Sequence, residues 1–142
     1  MSQKNRLITY TLGGFLFFLD QILKYIARTN PENIFVWKKI IGWEYYANIG
    51  VAFNLPLPNY LVIFLTPLII FGMIVFFLKK TNNNFLNNPG TILIILGAIS
   101  NYADRILFGF TIDYIRILTS VINLADLMIV AGVILLTVKH KA

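Results

Sequence analysis

The sequence predicts an all-α membrane protein of four transmembrane helices with a small extracytoplasmic β-rich cradle. Composition is the first sign: of 142 residues, 58% are hydrophobic and only 13% charged, with a mean hydropathy of +0.74. Soluble domains carry about a quarter charged residues. The second is the set of apolar segments at roughly 7–26, 58–78, 90–108 and 120–138, since about 20 helical residues cross the roughly 30 Å of bilayer hydrocarbon. The third is the placement of charge: basic residues gather next to these segments, as the positive-inside rule expects. The length suits a single integral membrane domain over 1–142, and no internal repeat is visible.

The first segment follows Lys4 and Arg6 and is interrupted at its far end by Asp20, Gln21 and Lys24. No small-residue cleavage site of the A-x-A kind follows, so it is expected to be a retained helix, not a signal peptide. Asp20 and Lys24 are four apart, share one helix face, and are expected to form a structural ion pair. Gln21 is expected to point elsewhere. The next stretch includes IFVWKKIIGWEYYANIGVAF, aromatic and β-branched with polar residues interspersed. It predicts short strands on the membrane face, a β-rich segment over roughly 30–56. Trp37, Trp43, Tyr45 and Tyr46 suit the lipid–water interface.

The second segment contains Pro67, which membrane helices tolerate, and ends at Lys79 and Lys80. The linker TNNNFLNNP follows, with Pro89 placed to start the third helix. In LGAISNYADRILFG, the small residues Gly97, Ala98 and Ser100 allow close helix packing. Asn101 and Asp104 are three apart and face the same way. Asp104 is expected in a buried ion pair with an arginine, and Arg105 can reach an anionic or carbonyl group of a ligand. Ser120 is a reasonable N-cap for the fourth helix, whose first turns carry Asn123 and Asp126. Asp113 falls in a short loop around 109–119.

Four spans put both termini on one side. The N-terminus, the 79–89 loop and the C-terminal tail hold six Lys/Arg and no acid, so that side is expected to be cytoplasmic. Asp113, Asp126, Asn101, Asn123 and Arg105 then meet at one depth near the outer face. The net charge of +6 is spread over the helix ends, so no nucleic-acid partner is expected. The lack of cysteine excludes thiolate catalysis, and with a single histidine, His140, in the basic tail, neither histidine catalysis nor a metal or other cofactor is expected.

An ionisable residue in a membrane helix is costly and points to function. Two carboxylates in one small site cannot both ionise easily. One keeps its proton, the other can accept one from water, and the pair titrates as a unit. Asparagine and arginine donors nearby suit a substrate carbonyl and a developing oxyanion. The same acids would also serve a proton-coupled transporter or channel. Their position near one face and the lack of an inverted repeat weigh against that. A non-catalytic scaffold would have no need of both aspartates.

Five motifs in order resemble those of the bacterial lipoprotein signal peptidases, also called signal peptidase II. They are DQILK from Asp20, NIGVAF from Asn48, GAISNYADR from Gly97, FTIDYI around Asp113 and NLAD from Asn123. The resemblance implies a four-helix enzyme of the bacterial cytoplasmic (inner) membrane, multi-pass, with its active site near the extracytoplasmic face. It would be an aspartic endopeptidase that removes the signal peptide from diacylglyceryl-modified prolipoproteins, cutting before the lipidated cysteine. Asp113 and Asp126 would be the catalytic pair. Asn48, Asn101, Arg105 and Asn123 would line the substrate site, and Asp20, Lys24 and Asp104 would be structural. The partners implied are the lipid-modified precursor and the bilayer, and a monomer is expected. The chain departs from the family pattern at Ser100 and Leu96, where glycine is usual, and at Ile122, where phenylalanine is common. The thirteen residues from Asp113 to Asp126 make a short outer connection.

Overall fold

A computed structural model describes residues 3–38, 40–50, 58–80 and 88–138. In chain order the elements are α1 (Gln3–Thr29), β1 (Ile34–Trp37), β2 (Ile41–Asn48), α2 (Asn59–Lys80), α3 (Pro89–Phe108), β3 (Thr111–Ile117), β4 (Ser120–Ile122) and α4 (Leu124–Val138). The strands form one antiparallel sheet in the order β1-β2-β3-β4.

Two helical stretches, Arg6–Thr29 and Pro89–Phe108, are long and apolar enough to cross a membrane, yet only 17% and 33% of their most apolar windows are buried. A core helix of a soluble protein would bury most of such a stretch. Here Leu7, Phe15 and Phe18 of α1, Phe64 and Ile69 of α2, and Val130 and Ile134 of α4 all point outward. An apolar exterior of this extent needs lipid around it.

Local signals explain the helix ends. The side chain of Asn88 accepts the Gly90 N–H at 3.0 Å, with Pro89 at the first helical position as expected. At the other end Gly109 adopts the left-handed conformation, φ 83°, and its N–H returns to the Arg105 carbonyl at 3.1 Å. This sharp stop lets the chain turn directly into β3. Gly97 is where α3 meets the first turn of α4, because a Cβ there would fall 2.6 Å from the Ala125 carbonyl oxygen. The expectation that small residues permit close packing holds at this seam.

Two boundaries differ from the sequence reading. The fourth helix starts at Leu124, not near 120, and Ser120 is not its cap, since residues 120–122 are β4 paired with β3. Val121 and Ile122 are β-branched and fit a strand better than a first helical turn. Likewise 109–119 is not merely a loop: Thr111–Ile117 forms β3 against β2, with Asp113 opposite Tyr46 and Asn48 opposite Thr111. A lone β1–β2 hairpin would leave an open edge, and TIDYIRI supplies the strand that covers it. The β-rich layer is thus drawn from both connections, not from 30–56 alone. Residue 39 and residues 51–56 of that segment, linker positions 81–87, and Lys139, His140 and Lys141 lie outside the described residues.

The sheet rests on the end of α1. Ala27, Ile112 and Tyr114 form a buried cluster, with Leu23, Trp43, Tyr45, Phe110, Ile115 and Leu124 packed around it. The Trp43 and Tyr114 rings lie 5.0 Å apart. Replacing Gly97 by valine should force α3 and α4 apart, destabilising the fold by about 1–3 kcal/mol. Thermal unfolding of the purified protein in detergent should show the lowered midpoint.

Candidate active site

The lower layer of the site is a buried ionic cluster between α1 and α3. The Lys24 ammonium lies 2.8 Å from Asp20 Oδ2 and 2.8 Å from Asp104 Oδ2, and it also donates to Asn101 Oδ1 at 2.9 Å and Ser100 Oγ at 3.2 Å. Asp20, Lys24 and Asp104 are at most 1% exposed. Helical spacing explains the arrangement: Asp20 and Lys24 are one turn apart on α1, as are Asn101 and Asp104 on α3.

Two expectations are corrected here. Asp104 pairs with Lys24 and not with an arginine; its other contact is the Ile112 N–H at 3.2 Å. Arg105, about 100° further round the helix, faces away from this cluster and donates to the Gly50 carbonyl at 2.7 Å. Gln21 does not point elsewhere, since its amide donates to Ser100 Oγ at 2.7 Å. The Ser100 hydroxyl in turn donates to Asp20 Oδ2 at 2.5 Å. In a low-dielectric setting, each of these polar groups needs a partner.

The upper layer holds the two aspartates. Asp113 Oδ2 accepts from the Asn48 amide at 2.8 Å, and its Oδ1 accepts from the Asn123 amide at 2.6 Å. The same Asn123 nitrogen lies 3.0 Å from Asn101 Oδ1, and the Asn101 amide donates to Asp126 Oδ1 at 2.8 Å. A chain of two asparagines therefore links the carboxylates. Asn123 also caps α4: its Oδ1 accepts the Asp126 N–H at 2.9 Å, while Asp126 Oδ2 receives the Asn123 N–H at 3.3 Å. This reciprocal contact is a capping box, so the cap holds the very carboxylate the site presents.

Asp113 and Asp126 open onto one cavity of about 220 Å³. Asn48, Asn101, Arg105 and Thr111 are part of its polar lining, and Val62 and Thr66 of α2 line it as well, with Ala98, Tyr102 and Ile129. Asn123 is fully buried behind the two aspartates. Among the described residues, Arg105 Nη1 and Thr111 Oγ1 are buried and find no hydrogen-bond partner. Burial, and then the Asp126 charge, push the Asp113 carboxyl up to about 7, although the Asn48 and Asn123 hydrogen bonds pull the other way. Asp113 therefore exchanges its proton near neutrality, where an ordinary carboxyl is fully ionised. Among the described residues, no cluster of three or more acidic side chains is arranged to hold a metal ion.

Sequence reasoning passed over Tyr114. Its hydroxyl donates to Asp20 Oδ1 at 2.8 Å and accepts the Leu124 N–H at 3.1 Å. Its position next to Asp113 gave no hint of this, because the partners come from α1 and α4. The capping box was readable as Asn-x-x-Asp before an apolar run, but the Ser120 cap displaced it.

Removing the Lys24 charge, as in Lys24→Met, leaves Asp20 and Asp104 buried without their cation. The expected loss is about 3–5 kcal/mol, measurable as a fall in folded, monodisperse protein and in its unfolding temperature.

Comparison with known proteins bears on this site. A family model described as signal peptidase (SPase) II matches residues 12–141. A lipoprotein signal peptidase of Halothermothrix orenii is 34% identical over 134 residues, spanning 91% of this chain and 92% of the relative. Another, of Sinorhizobium fredii, is 31% identical and spans 93% and 88%. A solved structure described as a bacterial membrane enzyme superposes with a TM-score of 0.80 at 25% identity, covering 94% of this chain and 87% of that one.

Proposed function

The chain belongs to the signal peptidase II family, and from that premise we propose that it is an aspartic endopeptidase whose catalytic pair is Asp113 and Asp126. It is a membrane peptidase that removes the signal peptide from prolipoproteins. In our reading the cut falls just before a cysteine that already carries diacylglycerol. The observation that carries the reading is the meeting of both carboxylates in one cavity, joined through Asn101 and Asn123.

The chemistry follows from one proton shared between two acids. Asp113, protonated near neutral pH, donates a hydrogen bond to the scissile carbonyl and polarises it. Asp126 takes a proton from a water molecule, which attacks the carbonyl carbon. The proton then passes to the leaving amine as the tetrahedral intermediate collapses. Arg105 Nη1 and the Asn48 amide lie at the cavity wall, where they hold substrate carbonyl oxygens and stabilise the oxyanion. The apolar α2 wall suits a lipidated substrate that enters sideways from the bilayer.

In the same reading all four helices span the bacterial cytoplasmic (inner) membrane, both termini are cytoplasmic, and the sheet lies at the extracytoplasmic face. Asp20, Lys24 and Asp104 are the structural anchor beneath the site. The relatives are peptidases, which leaves the transporter reading without support.

Asp113→Asn and Asp126→Asn should each lower cleavage of a lipidated precursor by about 10²–10⁴-fold while the protein still folds. A gel-shift assay in detergent or liposomes reads this directly, and normal processing by both variants would refute the assignment. The pH profile is the second check. Asp113 must be protonated to act, and it loses its proton as pH rises through about 7. Cleavage should therefore decline by about one decade per pH unit on the alkaline side; a rate that stays flat well into the alkaline range would count against the proton assignment.

A further inference from the structure

We propose that Tyr114 is a positioning residue for the reaction: its phenolic hydroxyl ties the strand that carries Asp113 to the first turn of the helix that carries Asp126, and so sets the separation of the two carboxylates. The inference rests on the catalytic reading above.

The geometry is specific. The first N–H groups of a helix have no partner within it. In α4 those of Leu124 and Ala125 immediately precede Asp126. The Leu124 N–H goes to the Tyr114 hydroxyl at 3.1 Å, and the Ala125 N–H goes to Asp20 Oδ1 at 3.2 Å. The hydroxyl itself donates to that same Asp20 oxygen at 2.8 Å. Asp20 is itself bonded to Lys24 and Ser100, so the α4 terminus is tied to a side chain held by both α1 and α3. Asn123 organises the same turn from the cavity side, whereas Tyr114 and Asp20 hold it from the core.

Tyr114 transmits this hold to Asp113 through the strand. Successive side chains on a strand point to opposite faces, so Asp113 faces the cavity and Tyr114 faces α1 and α4. The phenol is fully buried, its ring tilted against Trp43 and clustered with Ala27 and Ile112. Its ionisation is pushed well up by burial and the Asp20 charge, so it remains a donor. Packing alone would need only the ring, and phenylalanine would then serve equally.

Tyr114→Phe keeps the ring and removes the clamp. With the full-length protein in detergent and a lipidated precursor, kcat should fall about tenfold or more, because small misplacements of reacting groups are costly, while KM stays unchanged. Trp43→Phe is the comparison: it loosens packing beside the ring but keeps the hydroxyl, so it should lower thermal stability and spare kcat. A Tyr114→Phe protein with wild-type kcat would overturn the proposal. So would one that fails to fold, because the hydroxyl would then be a folding requirement, or an equal kcat loss in Trp43→Phe, because loosened packing alone would then account for the effect. Unimpaired cleavage by Asp113→Asn would instead overturn the catalytic reading itself.

Discussion

The arrangement depends on one buried cation. Lys24 places its ammonium among Asp20, Asp104, Asn101 and Ser100, nearly sealed from solvent. Burying charge is unfavourable unless it is paired and hydrogen-bonded. Once the cation is present, the register of α1 against α3 that delivers both carboxylates to it is favoured over any that leaves it unpaired. The docking also fixes a polar side chain above: with Lys24 and Asn123 on Asn101 Oδ1, the Asn101 amide must point its N–H groups the other way, toward Asp126.

The site is therefore the upper end of a continuous network, not a pair of acids added to a bundle. Asp20 serves the lower cluster and also receives the Tyr114 hydroxyl and an α4 amide. Asn123 serves the α4 cap and also Asp113. Asp104 joins the Lys24 cluster to the β3 backbone at Ile112. Each element that carries an aspartate is held at two or more points by groups that would otherwise be buried without partners. This is how a small chain can keep two acids at fixed separation in an apolar surrounding.

Much of this was legible in the sequence. The helices announced themselves through length and hydropathy, and Pro89 marked a start that the structure keeps. The i,i+4 spacing of Asp20 and Lys24 and the i,i+3 spacing of Asn101 and Asp104 gave the facing surfaces. Other features were hidden for physical reasons. Strand pairing is non-local, so nothing in TIDYIRI alone says that β2 waits beside it. A partner for Asp104 could not be read from α3, because it comes from α1, 80 residues earlier. Tyr114 fell in a stretch read as a loop, and nothing in that reading places its hydroxyl against α4. Ser100, unusual at its position by family resemblance, proves to be a hydrogen-bonding centre for Asp20, Lys24 and Gln21, which periodicity cannot reveal.

The central claim is that the two carboxylates of the cavity hold a single proton near neutral pH. Infrared spectroscopy of the protein in lipid tests it most directly, because a protonated carboxyl has a carbonyl stretch distinct from that of a carboxylate. The account predicts a carboxylic-acid band that titrates away with a midpoint near pH 7 and is missing in Asp113→Asn. A spectrum in which that band is absent at neutral pH, or persists unchanged in Asp113→Asn, would contradict it.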